Sequence, residues 1–203
     1  MKSLSLFILV GIAITASAFT DVNNDPLPIG KSSKAMNMDV TNFKGENASL
    51  KSYAKKNGLI VIFSSNTCPF VIAWESRYPD LADYCKKNDI GFVLLNSNEA
   101  RRAGEASLSE MEKHATEMKY DFQYLMDKDS RVADAFGAKA TPQVYLFNNE
   151  NNLVYRGAID DNHKNESEVK HTYAMDALQN LVGGKEINPE TTNALGCSIK
   201  RVK

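Results

Sequence analysis

The stretch Phe63-Ser64-Ser65-Asn66-Thr67-Cys68-Pro69-Phe70-Val71 places a cysteine where a short polar loop turns into a helix. Pro69 suits the first position of that helix, because an N–H there has no intrahelical partner to lose. Cys68 then stands at the helix N-terminus, where free amides and the positive end of the helix dipole favour a thiolate. The thiolate is the nucleophile of sulfur chemistry, so this placement predicts a reactive cysteine. An inert cysteine is the alternative, but inert cysteines usually lie inside elements rather than in polar loops at their ends. A second motif, Ala140-Thr141-Pro142-Gln143-Val144-Tyr145, sets a proline at the start of an apolar strand, where a sheet tolerates it. A cis Thr141–Pro142 bond would present backbone to a substrate and keep a metal out of the thiolate site.

Other chemistry-bearing residues give weaker signals. His114 lies among charged residues of a helix and is predicted to face solvent. His163 and His171 have no cysteine near them in sequence, and no metal site or cofactor is expected. Arg77 and Arg131 are candidates for a substrate oxyanion or the thiolate. Arg156 and Asp160 to Asn162 either line the site or cap a turn. The glycines form no phosphate loop, and no Ser/His/Asp grouping stands out.

The elements that must position Cys68 follow from hydrophobic patterning. Four compact apolar strands are predicted at Leu59–Phe63, Gly91–Leu95, Gln143–Phe147 and Leu153–Gly157. A helix over 70–88 separates the first two. Helices near 107–119 and 129–136, with a short strand at Phe122–Leu125, lie between the second and third. Strands alternating with helices imply βαβ units and a largely parallel sheet. The turn Asn148–Asn152 makes the last two strands an antiparallel hairpin. Met38–Phe43 suggests a further strand, and Ser49–Lys56 a short helix. A final helix over 169–182 has an apolar face of Ala174, Ala177, Leu178, Leu181 and Val182 and stops at Gly183-Gly184. Residues 185–203 read as a polar tail, and residues 19–34 as an extended lead-in, leaving 35–184 as the folded domain.

The chain has 203 residues, 43% hydrophobic and 24% charged, which fits one globular domain with extensions. Its formal net charge of −1 offers no basic excess for nucleic acid or an anionic membrane. Three cysteines are too few for a disulfide scaffold. At the N-terminus, Lys2, an apolar run from Leu4 to Ile14 and Thr15-Ala16-Ser17-Ala18 have the layout of a signal peptide over residues 1–18. The run is shorter than the ~20 residues of a spanning helix, although an uncleaved anchor is the alternative. The mature chain is therefore expected to be exported, periplasmic or secreted, and free of the membrane after cleavage. In such a compartment thiols meet oxidising partners.

The order strand, cysteine, helix, then Thr-Pro, strand, turn, strand, helix is that of the thioredoxin fold. The chain resembles the peroxiredoxin-like redoxins of the alkyl hydroperoxide reductase/thiol-specific antioxidant group. The matching pieces are Asn66-Thr67-Cys68-Pro69-Phe70-Val71, Thr141-Pro142, Arg156-Gly157-Ala158-Ile159-Asp160-Asp161-Asn162 and Gly196-Cys197-Ser198-Ile199-Lys200. The resemblance implies an α/β fold, a thioredoxin-like central mixed sheet flanked by helices, with a redox-active Cys68 and a cis Pro142. Departures are visible. Val71 stands where a Cys-x-x-Cys motif has its second cysteine, and Ile72 where copper-delivery relatives have theirs. In the Pro-x-x-x-Thr/Ser-x-x-Cys pattern of typical peroxiredoxins, Ser65 fills the hydroxyl position and Val61 replaces the proline.

Two cysteines could resolve an oxidised Cys68. Cys85 continues the apolar stripe Val71, Trp74, Tyr78, Leu81 and reads as core. Seventeen residues along a helix is about 25 Å, far beyond disulfide reach. Cys197 lies in the polar tail, which can swing back because loop closure grows slowly with length. It is expected to resolve Cys68, the alternative being an incidental tail thiol. The expected activity is thiol-dependent oxidoreduction, with Thr67, Pro69, Thr141 and Pro142 shaping the site. The substrate would be a peroxide or a protein disulfide, and an external dithiol would supply electrons. The rivals are a monothiol disulfide reductase or isomerase, and an inactive thioredoxin-fold binding module.

Overall fold

The computed structural model describes residues 25–202. The expected signal peptide and the start of the lead-in lie outside the described residues. The chain runs β1 (Asp39–Thr41), β2 (Asn47–Ser49), β3 (Leu59–Phe63), α1 (Pro69–Trp74), α2 (Tyr78–Lys87), β4 (Gly91–Asn96) and α3 (Leu108–Glu117). It continues with β5 (Gln123–Met126), α4 (Arg131–Phe136), β6 (Ala140–Thr141), β7 (Gln143–Phe147), β8 (Leu153–Gly157), α5 (Tyr173–Val182) and β9 (Cys197–Ser198). Seven strands form one mixed sheet in the order β2-β1-β5-β4-β3-β7-β8. Strands β3, β4 and β5 are parallel, whereas β7 and β8 run antiparallel to their neighbours.

Strand β3 sits at the centre of the fold because both of its faces are apolar. Ile60 and Ile62 face a core built with α1, α2, α3 and α5, while Leu59, Val61 and Phe63 face a second core with α4. All five side chains are fully buried, and each contributes roughly 1.5–3 kcal/mol of transfer free energy. A strand committed to two cores at once cannot slip in register. Its C-terminal end therefore delivers the following loop, and Cys68, to a fixed place.

Four local expectations need correction. The helix over 70–88 is divided: the 3-10 turn Glu75–Arg77 separates α1 from α2. Pro79 falls in the first turn of α2, where its missing N–H costs nothing. The break falls where a continuous helix would set the Pro79 ring against the Glu75 carbonyl, four residues earlier, with no N–H to offer it. The Glu75 side chain is itself buried. Glu75 accepts a hydrogen bond from Tyr120 Oη at 2.9 Å and meets Nε2 of His114. His114, predicted to face solvent, is thus partly buried against Glu75. The final helix starts at Tyr173, not at 169, and the segment 50–53 is a 3-10 turn.

The turn between α1 and α2 is locked to the loop after β8. Asp160 accepts from Trp74 Nε1 at 2.6 Å and from Arg77 Nε at 3.1 Å. Arg77 also donates to the Asn162 carbonyl and pairs with Glu166. The Arg156–Asn162 motif therefore uses its aspartate as structure, and Arg77 is committed away from Cys68. Asp160→Ala would leave the Arg77 Nε–H and the Trp74 indole N–H, both at a buried site, without acceptors. We expect a loss of about 3 kcal/mol, read as a lower denaturant midpoint with an unchanged slope.

Candidate functional site

The loop between β3 and α1 is polar but not loose. Ser64 N donates to the Leu95 carbonyl, and its hydroxyl meets Tyr78 Oη at 3.3 Å. Asn66 Oδ1 accepts from Asn96 Nδ2 at 3.2 Å. Ser65 Oγ accepts from Thr67 N, and the next residue is the N-cap of α1. That N-cap is Cys68, followed by Pro69 at the first helical position. Cys68 is 4% exposed, yet it lines a cavity of about 170 Å³ together with Ser65, Thr67, Pro69, Thr141 and Cys197. Arg101 and Lys200 stand at the same cavity.

The expectation of a swinging tail is overturned. Residues 196–201 are stitched to the body of the protein. Strand β9 pairs antiparallel with β6, setting Cys197 opposite Thr141 and Ser198 opposite Ala140. Ile199 N donates to the Lys139 carbonyl, Lys200 N to Asn98 Oδ1 at 2.9 Å, and Ala100 N to the Lys200 carbonyl. Arg201 pairs with Asp134 at 2.6 Å, and Ile199 is buried in the second core. Gly196 permits the approach: a Cβ there would lie 2.3 Å from the Thr141 carbonyl oxygen. None of this is visible as periodicity, because the partners are far away in sequence.

The result is a cysteine pair at the start of one helix. The Cys68 thiol donates to the Thr141 carbonyl at 3.2 Å, and the Thr141–Pro142 bond beside it is cis. Burial pushes the Cys68 thiol up. The Cys197 thiol, the Val71 amide, Thr141 and the Cys197 amide outweigh burial and hold it below the usual thiol range. The Val71 amide lies outside ordinary capping geometry but close enough to favour negative charge. For Cys197 the sign reverses: burial, and then the neighbouring Cys68, push it up. The first of the two to ionise is therefore Cys68, and Cys197 keeps its proton beside it.

Cys85 is remote from this pair. It is fully buried in the α2 core, and burial pushes its thiol up to about 12. We expect Cys85 to resist iodoacetamide in the native state at pH 8 and to react once guanidinium unfolds the chain, as followed by mass spectrometry. Other candidates also find partners elsewhere. Arg131 is exposed and donates to the Lys128 carbonyl. His163 packs on Phe70 and Trp74, with ring centroids 5.2 and 5.3 Å away. Among the described residues, no three His, Cys, Asp or Glu side chains gather as a metal centre would require.

A mixed sheet carrying a cysteine at the N-terminus of its first long crossover, facing a cis proline, defines a redoxin-type fold. The model of the AhpC/TSA family matches residues 32–156, and the chain belongs to that family. No curated protein sequence matches it significantly. Among solved structures, an uncharacterized conserved protein from Geobacillus kaustophilus is 32% identical, with a TM-score of 0.79. The match covers 87% of this chain and 93% of that one. A hypothetical protein from Sinorhizobium meliloti is 28% identical, with a TM-score of 0.78, over 88% of this chain and 97% of that one. The peroxidoxin BcpB from Mycobacterium tuberculosis, at 13% identity and a TM-score of 0.59, shares the fold over 75% of this chain and 97% of its own. The fold is thioredoxin-like, as the order of elements predicts.

Proposed function

We propose that this protein is a thiol-dependent peroxide reductase whose redox pair is Cys68 and Cys197. The observation that carries this reading is the pairing of β9 with β6, which sets the second cysteine beside the first in the folded state. Cys68 thiolate attacks one oxygen of a hydroperoxide. The S–O bond forms, the O–O bond breaks, and the alkoxide leaves with a proton from solvent. Cys197 then attacks the sulfenic sulfur; its proton and the departing hydroxide leave as water, and the S–S bond forms. An external dithiol returns two electrons by two exchange steps. Thr67, Pro69 and Thr141 line the cavity beside the sulfur, and Pro142 shapes it through the cis bond that turns the Thr141 backbone. The apolar run and small residues at 1–18 support export of the mature chain.

A second reading has an observation of its own. No arginine or lysine among the described residues hydrogen-bonds Cys68, and the two thiols are already neighbours. That is the arrangement of a dithiol reducing a protein disulfide, with the Cys68 mixed disulfide broken by Cys197. One experiment separates the two. Stopped-flow mixing of the reduced protein with hydrogen peroxide is expected to give oxidation at least ~100-fold faster than a free thiol at the same pH. Peptide mapping is expected to show a Cys68–Cys197 link. Oxidation at the free-thiol rate would favour disulfide exchange, and a product lacking that link would refute the redox pair.

A further inference from the structure

One cavity lies apart from the two cysteines. It has a volume of about 510 Å³ and is lined by Arg156, Lys139, Ala140, Gln143 and the segment 191–194. Arg156 projects from β8, one strand in from nothing else, since β8 is the edge of the sheet. Its Nε is the one buried side-chain nitrogen or oxygen among the described residues without a hydrogen-bond partner. Buried donors are almost always satisfied, so an orphan on a permanently charged group asks for an acceptor.

The neighbours that could accept are already engaged. Gln143 Oε1 takes the amides of Lys139 and Ala140, at 2.9 and 3.2 Å, and its Nε2 donates to Tyr145 Oη. Tyr145 Oη donates to the Phe136 carbonyl at 3.1 Å. Thr192 Oγ1 accepts from Ala158 N at 2.9 Å and meets Tyr155 Oη at 2.7 Å. No Asp or Glu is among the described lining residues, whereas Lys139 adds a second positive charge at the rim. The Arg156 backbone holds the lining segment in place, with its N–H on the Glu190 carbonyl and its carbonyl accepting from Thr192 N.

A guanidinium with a free Nε–H, a second cation and no competing carboxylate is a fork for a planar or tetrahedral oxyanion. We infer that this cavity is a binding site for a small oxyanion, a carboxylate or a phosphate, anchored by Arg156 and closed by Lys139. Water would satisfy the donor but would not balance the positive charge of the two lining cations.

Calorimetric titration of the full mature chain with inorganic phosphate, and separately with succinate, tests this at constant ionic strength. Saturable binding of either probe is expected, and the tighter of the two identifies which oxyanion the site prefers. Arg156→Gln is expected to weaken it at least ~10-fold, the loss of a charge-assisted hydrogen bond. Lys139→Gln, at the exposed rim, is expected to weaken it ~3-fold and provides the test should Arg156→Gln fail to fold. Absence of saturable binding for both probes would overturn the assignment. So would equal competition by chloride, or unchanged affinity in Lys139→Gln and in any folded Arg156→Gln. None of these readouts depends on the cysteines, so the redox reading stands or falls separately.

Discussion

Cys68→Ser is expected to lower kcat/KM for hydroperoxide by at least ~10³-fold, to the level of the protein's incidental thiols. The reason is chemical. Serine at that position keeps a hydroxyl that can donate to the Thr141 carbonyl, so the contacts of the site survive. What is lost is an ionisable nucleophile, because a hydroxyl does not ionise near neutral pH and sulfur attacks peroxide oxygen far better than oxygen does. Circular dichroism and the thermal midpoint should stay close to those of the parent, which separates loss of chemistry from loss of fold. Activity within a few-fold of the parent would mean that another thiol does the work.

Cys197→Ala acts at two points of the cycle. First, turnover with a dithiol donor should slow, since the sulfenic acid at Cys68 has only a thiol from solution to react with; after oxidation without donor, dimedone should label Cys68 persistently. Second, the pH dependence of that first oxidation should move. In the parent, Cys68 is held below the usual thiol range, so the rate rises with pH through that depressed value and levels off once the thiolate predominates. Cys197 is the first of the contacts that lower it. Its removal raises the Cys68 pKa, so the midpoint shifts to higher pH and oxidation at neutral pH slows. A purely structural role for Cys197 predicts no such shift. An unchanged midpoint, together with normal turnover, would remove Cys197 from the mechanism.

The strands were legible because they are short continuous apolar runs bounded by polar turns. The hairpin strands Gln143–Phe147 and Leu153–Gly157 match their predicted limits, with the polar residues 148–152 between them. The reactive cysteine was legible for a local reason also: the proline after it marks a helix start. The break after Trp74 has a local signal in Pro79, but the burial of Glu75 was hidden, because its partners His114 and Tyr120 lie 39 and 45 residues away. The docking of the tail was hidden more deeply. Its composition is polar, and its backbone partners, Lys139, Asn98 and Ala100, lie some 60 to 100 positions earlier. A short edge pairing of two residues has no hydrophobic period to announce it. The nearest hints were Gly196, whose missing side chain admits the Thr141 carbonyl, and Ile199, an isolated apolar residue among lysines and arginines.

Those two residues bracket Cys197 and set how evolution can vary this end of the chain. The connection from α5 to Glu190, where the chain is first held to Arg156, is a span whose length adds little entropy per residue, so insertions at 185–189 should leave the second sulfur in place. Between Gly196 and Ile199 there is no such freedom: one point is pinned by contact with Thr141 and the other by burial beneath the sheet. A single inserted residue within that interval would turn the sulfur away from its partner while leaving both anchors seated, uncoupling the thiols without unfolding anything.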